Sequence, residues 1–221
     1  METTLHRQLK ALYAGSEARV EERVGGYRID AIRAGELIEI QHGGLAAIRG
    51  KVSRLLEAHP VLVVKPLVAR KHLVKLSKRG GREISRRLSP KQAGLLDLFH
   101  ELVYFTRVFP HPRLTLHVPL VEVEERRYPG HGRRRRWRKD DFLVEDQRLL
   151  AVQTVHTFRT AADLLALLPT KLPQPFHTGH LADALAINRW VAQRIAYCLR
   201  QTGAAAVCGK AGNAVLYQKA A

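Results

Sequence analysis

The chain has 221 residues, 37 of them Lys or Arg against 20 Asp or Glu, so its formal charge is +17 with histidines neutral, and 46% of it is hydrophobic. That is long and apolar enough for a buried core and too apolar for a disordered segment. The cationic excess favours a polyanionic partner, nucleic acid before membrane. The opening Met1-Glu2-Thr3-Thr4 has no signal-peptide pattern and no apolar run has bilayer length, so a cytoplasmic protein without a membrane partner is expected. Two cysteines, Cys198 and Cys208, make no disulfide framework. The eleven histidines lack the paired spacing of a structural zinc site.

In chain order, Leu5, Leu9 and Leu12 predict a short helix over 3–14. A three-stranded meander follows over 18–24, 27–32 and 37–41, turned at Gly25-Gly26 and Gly35. Alternation places Arg28, Asp30 and Ile32 on one face of the second strand and Tyr27, Ile29 and Ala31 on the other; in the third, Leu37, Glu39 and Gln41 share a face. Asp30 and Glu39 therefore sit mid-strand in neighbouring apolar strands, where buried charge needs a compensating partner and a divalent cation would serve both. A helix over 45–58 carries an apolar stripe through Leu45, Ile48, Val52, Leu55 and Leu56. Arg49 and Lys51 stand beside the stripe, expected to be solvated or to contact phosphate, with reach to the carboxylates as the alternative. A strand over 61–67 comes next.

Further on, a basic hairpin is expected over 71–76 and 83–88, then a helix over 91–108 with Leu95, Leu98, Phe99, Leu102, Val103 and Phe105 in the core. Two long strands, 113–126 and 141–158, form a hairpin whose tip reads Arg133, Arg134, Arg135, Arg136, Trp137, Arg138, Lys139, six cations in seven residues. Such a tip suits the DNA backbone, with Trp137 placed to stack on a base or wedge between base pairs. Thr160 and Asp163 open a further helix as a capping box. Helices over 178–185 and 188–201, then strands over 204–208 and 214–218, complete the chain.

The pattern Asp30, then Glu39-Ile40-Gln41, then a helix and a returning strand resembles the PD-(D/E)XK nuclease superfamily. The resemblance implies an α/β (α+β) protein with a restriction-endonuclease-like αβββαβ core. It implies Mg2+ or Mn2+ held by Asp30, Glu39 and the Ile40 carbonyl, and metal-dependent endonuclease hydrolysis of DNA. The third motif residue is usually Lys and here is Gln41, expected to orient water or phosphate. Of the upstream acidic residues Glu17, Glu21 and Glu22, Glu21 is the preferred contributor. The C-terminal helices and strands resemble a winged helix-turn-helix, which implies DNA contacts from Asn188, Arg189, Gln193 and Arg194 and a wing carrying Lys210.

The expected division is a core over 1–90, a helix with a basic β-hairpin over 91–168, and a winged helix over 169–221. DNA, duplex or branched, is the expected partner. A homodimer is expected because a double-strand break usually needs two active sites. The alternative is a DNA-binding protein or transcriptional regulator without catalysis on a nuclease-like scaffold.

Overall fold

The computed structural model of the chain describes residues 3–130 and 141–220. In the first helix, α1 (Thr4–Ala14), the Thr3 hydroxyl accepts from the His6 N–H, and Leu5 and Leu9 are fully buried. Leu12, expected on the same stripe, is 57% exposed. The buried row is Leu5, Leu9 and Tyr13, at spacing i, i+4, i+8, and Leu12 falls outside it.

The expected first two strands of the meander are each broken. β1 (Arg19–Val20) pairs with β4 (Ala31–Arg33), while β2 (Arg23–Val24) pairs with β3 (Tyr27–Arg28) around Gly25-Gly26. Between the pairs Glu21 takes φ of 59°, an uncommon conformation for a residue with a side chain. The break is held by Glu21 N–H to the Asp30 carbonyl at 3.2 Å and Ile29 N–H to the Glu22 carbonyl at 2.8 Å. It also cancels the expected alternation. Ile29 and Ala31 enter cores on opposite faces of the sheet, where an unbroken strand would put them on one.

β5 (Glu36–Ile40) runs antiparallel to β4 and then parallel to β6 (Val61–Val64), through a 3-10 turn at Leu45–Ile48 and α2 (Arg49–Leu55). β6 and β7 (Leu67–Leu76) lie in succession, both parallel to β9 (Leu114–Pro129). β8 (Glu83–Leu88) closes a hairpin on β7, and β10 (Phe142–Phe158) runs antiparallel along β9. The result is a mixed eight-stranded sheet in an α+β protein.

The helix expected over 91–108 is only α3 (Leu98–Leu102), preceded by a 3-10 turn at Leu95–Asp97. The Asp97 carboxylate accepts from the Gly94 N–H at 2.7 Å and starts the helical segment there. Beyond Leu102, Tyr104, Phe105 and Val108 bond to carbonyls three residues back, as tight turns do; β-branched and aromatic residues here are poor helix formers. The expected core residues Leu98, Phe99, Leu102 and Phe105 are fully buried, and Leu95 and Val103 pack partly against them.

α4 (Ala161–Leu165) starts at the Thr160–Asp163 capping box as expected. α5 (Thr178–Leu185), α6 (Arg189–Gln201) and the hairpin of β11 (Ala205–Ala211) and β12 (Ala214–Lys219) follow. The loop expected over 209–213 shrinks to Gly212-Asn213, because the ladder continues to Ala211 opposite Ala214 and places Lys210 opposite Val215.

Helices cover both faces of the sheet. On one face α1 packs on Ala31, Ile38, Ile40, Leu62 and Val64. On the other, buried residues from α2 through α6 join Leu37, Val61, Val63, Leu114 and Leu116 in a continuous core. The alternation of β5 and β6 between these layers is the period of two read from the sequence. No helix among the described residues is long and apolar enough to cross a membrane.

Candidate functional site

The pleat of β5 sends Ile38 and Ile40 toward α1 and leaves Glu39 on the α2 side, where only 4% of it is exposed. α2 buries Val52 and Leu55, which carries the neighbouring Lys51 to the sheet. Its ammonium reaches the Arg28 carbonyl and stands 2.6 Å from Glu39 Oε1. Asp30 lies where the hairpin breaks. The Ile40 N–H extends past the Ala31–Ile38 pair, so no strand residue receives it, and Asp30 Oδ2 accepts it at 2.8 Å. His6 of α1 places Nε2 3.2 Å from Asp30 Oδ1. In an antiparallel strand the N–H and C=O of one residue project from the same edge, which turns the Ile40 carbonyl toward Asp30 as well.

The two carboxylates titrate in opposite directions. Burial pushes Glu39 up to about 7, with Lys51 opposing and the Asp30 charge adding to the rise. Burial also acts on Asp30, but the His6 contact and the Ile40 N–H outweigh it and hold that carboxyl below its usual range. Glu39 Oε1 is buried, and its near partner is the Lys51 ammonium at 2.6 Å. Two carboxylates that influence each other's titration, Glu39 ion-paired to Lys51 and Asp30 to His6, and a carbonyl on the same edge form an oxygen-donor set of the kind that suits a magnesium-type cation. Among the described residues no three His, Cys, Asp or Glu side chains converge as a metal cluster, so this smaller set is the candidate.

The loop after β5 is pinned. Gln41, the expected water-orienting residue, donates from Nε2 to the Gly44 carbonyl at 2.8 Å. Lys65, 4% exposed, donates to the Gly43 carbonyl at 2.6 Å, and Glu101 of α3 lies 3.5 Å from it while accepting from the Leu45 N–H at 2.9 Å. Sequence reasoning missed His6, Lys65 and Glu101. Only Lys65 had a signal there, a cation directly after four apolar strand residues. Glu21 is paired with Lys10 at 2.6 Å and with Arg28, and these contacts lower its pKa. Its N–H bonds the Asp30 carbonyl, which places its backbone beside the site. Arg49 is exposed and Lys51 alone of that pair reaches a carboxylate.

Arg133, Arg134, Arg135, Arg136, Trp137, Arg138 and Lys139 lie outside the described residues. Asn188, Arg189 and Gln193 are exposed at the start of α6, and Lys210 is exposed on β11. Arg194 instead turns to α3, with Nη1 3.0 Å from His100 Nδ1. On the sheet, Arg86 and Arg126 pair with the buried Glu124, and Lys71 and Arg127 with the buried Glu125, so part of the cationic excess is internally balanced.

The family model described as "Domain of unknown function (DUF8091)" matches residues 3–159, the span from α1 to the end of β10. A relative described as an uncharacterized protein, from Treponema pallidum (strain Nichols), is 30% identical over 220 residues, covering 99% of this chain and 85% of the relative. No solved structure matches significantly.

Proposed function

We propose that this chain, which belongs to the family described as "Domain of unknown function (DUF8091)", is a metal-dependent endonuclease that hydrolyses DNA phosphodiesters. The observation that supports this best is the meeting of Asp30, Glu39 and Lys51, two carboxylates from neighbouring segments of the sheet and one cation from the next helix. The order of elements around them, helix, antiparallel segments, helix, parallel strand, agrees with the superfamily whose motif the sequence resembles. In this reading Lys51 supplies from α2 the charge that Gln41 lacks.

Asp30, Glu39 and the Ile40 carbonyl would hold magnesium or manganese. Such an ion, when bound, polarises the phosphate and lowers the pKa of the attacking water. The Ile40 N–H and His6 orient the Asp30 carboxylate. Lys51 offers a fixed positive charge to a phosphate oxygen, where charge develops during hydrolysis. Gln41 acts by shaping the loop through Gly44. The α5–α6 pair and the β11–β12 hairpin follow the order of a winged helix and form the DNA-holding part of the reading, with Asn188, Arg189 and Gln193 available on it.

Two observations favour the second reading, a DNA-binding protein without catalysis. Lys51 already offsets the Glu39 charge, and Gln41 is occupied by Gly44. Cleavage of supercoiled, single-stranded and branched DNA with magnesium or manganese separates the two. Asp30→Ala and Glu39→Ala should each lose at least about a hundredfold in cutting with DNA affinity kept. Binding with no metal-dependent cutting of any substrate would establish the second reading instead.

A further inference from the structure

We propose that the exposed face of α6 binds unpaired nucleobases, with Trp190 as the stacking platform. This deepens the nuclease reading and rests on it. α6 turns Ala192, Ile195, Ala196, Cys198 and Leu199 into the core, yet leaves Trp190 half exposed, at 50%. The ring does not hang free. It stacks on His100 of α3, with centroids 5.1 Å apart and planes 19° apart, and the Arg194 guanidinium lies 5.2 Å from its centroid. Arg194 also contacts His100, so both supports brace the ring together while half of the residue's surface stays exposed.

A second exposed ring, Tyr197, has Arg200 5.9 Å above it. Seven residues of helix separate the two rings by about 10.5 Å, so they are successive platforms rather than one cage.

Charge selects the occupant. α6 holds Arg189, Arg194 and Arg200 and no acidic residue, which suits a phosphate backbone running beside the rings. Aromatic rings braced by arginine, on a cationic surface, are the elements of single-strand recognition; stacking tolerates any base because every base has a π-face. Paired bases in a duplex are already stacked on one another, so the platform favours frayed, branched or single-stranded DNA. The immobilised ring also loses little conformational entropy on binding.

α3 supports both the platform and the loop that follows Glu39. His100, beneath Trp190, is followed in α3 by Glu101, which holds the Leu45 N–H and Lys65 at the loop after Glu39. One short helix thus braces Trp190 and pins the loop from Gln41 to Leu45.

The test uses the full chain with Trp137→Phe, which leaves Trp190 as its one tryptophan, in EDTA so that nothing is cut. Oligo-dT should quench Trp190 fluorescence saturably and an equal-length duplex should do so much less. Trp190→Ala should lose about fivefold to a hundredfold in single-strand affinity, with duplex affinity unchanged, and Trp190→Phe should recover most of the loss. The melting temperature and circular dichroism of both variants report whether the fold survives, and Trp190→Phe keeps the test valid if the alanine variant unfolds. Equal single-strand affinity in a folded Trp190→Ala, or equal quenching by duplex, overturns the proposal. A protein partner on this face would give the first of those results. Quenching here, with no cutting in the separate magnesium or manganese cleavage assay, would retain the platform and remove the nuclease reading; cutting in that assay without quenching here would do the reverse.

Discussion

Glu39 is the residue through which pH acts most directly. Its folded pKa of about 7 stands above the ordinary 4.5, so between those values the folded protein binds more protons there than the unfolded chain does. The stability this contributes is present below pH 4.5 and is lost as pH rises through about 7. At 1.36 kcal/mol per unit, the effect is on the order of 3 kcal/mol for so buried a group. In metal-free buffer the melting temperature should therefore fall between pH 5 and pH 8, and Glu39→Gln should flatten that fall. An unchanged slope in the variant would place the titration elsewhere. Magnesium at the proposed site would bind the ionised form, so on that proposal its stabilising effect should be larger at pH 8 than at pH 6. Asp30, held below its usual range, remains ionised throughout that window.

At the scale of elements, α1 is held to the sheet by a narrow row. Leu5 and Leu9 are fully buried and Leu12 is not. Leu9→Ala should cost about 2–5 kcal/mol in denaturant unfolding, the range for a buried leucine, whereas Leu12→Ala should stay within about 0.5 kcal/mol. Similar losses in both would mean that Leu12 packs against the protein. α1 also carries His6 to Asp30, so loosening it should disturb the proposed metal site as well as stability. α3 has a comparable double duty: its Leu98, Phe99 and Leu102 anchor the core, while Glu101 and Lys65 tie down the loop from Gln41 to Leu45.

For the whole molecule, the charge of +17 is the dominant property. Lys71, Arg86, Arg126 and Arg127 are committed to buried glutamates, and many other cations, Arg189 and Lys210 among them, face solvent. The proposed binding to duplex DNA should therefore release counterions and weaken steeply with salt. With six phosphate contacts, affinity would drop about a thousandfold between about 50 and 200 mM. A titration showing little salt dependence would argue against the phosphate backbone as the main contact. The buried contacts joining α3 to α6 place the C-terminal helices on the same core as the sheet, so the DNA-holding reading and the carboxylate centre concern one packed unit.

Much of this was legible in the sequence, because local physics decides it. Period-two alternation put Glu39 on the face opposite Ile38 and Ile40, glycine pairs marked the turns, and the capping box at Thr160 and Asp163 started α4 where expected. The α5, α6 and β11–β12 order followed from the same periodicities. What the sequence could not settle depended on contacts distant along the chain. The break at Glu21 and Asp30 appears only when two segments pair and one N–H, that of Ile40, is left to a side chain. Lys51 against Glu39, His6 against Asp30 and Glu101 at the Leu45 N–H join residues from different elements. So does the bracing of Trp190 by His100, residues that no spacing rule connects. Periodicity assigns a side chain to a face; only the packed structure decides which group meets it there, and with that the charge it can keep.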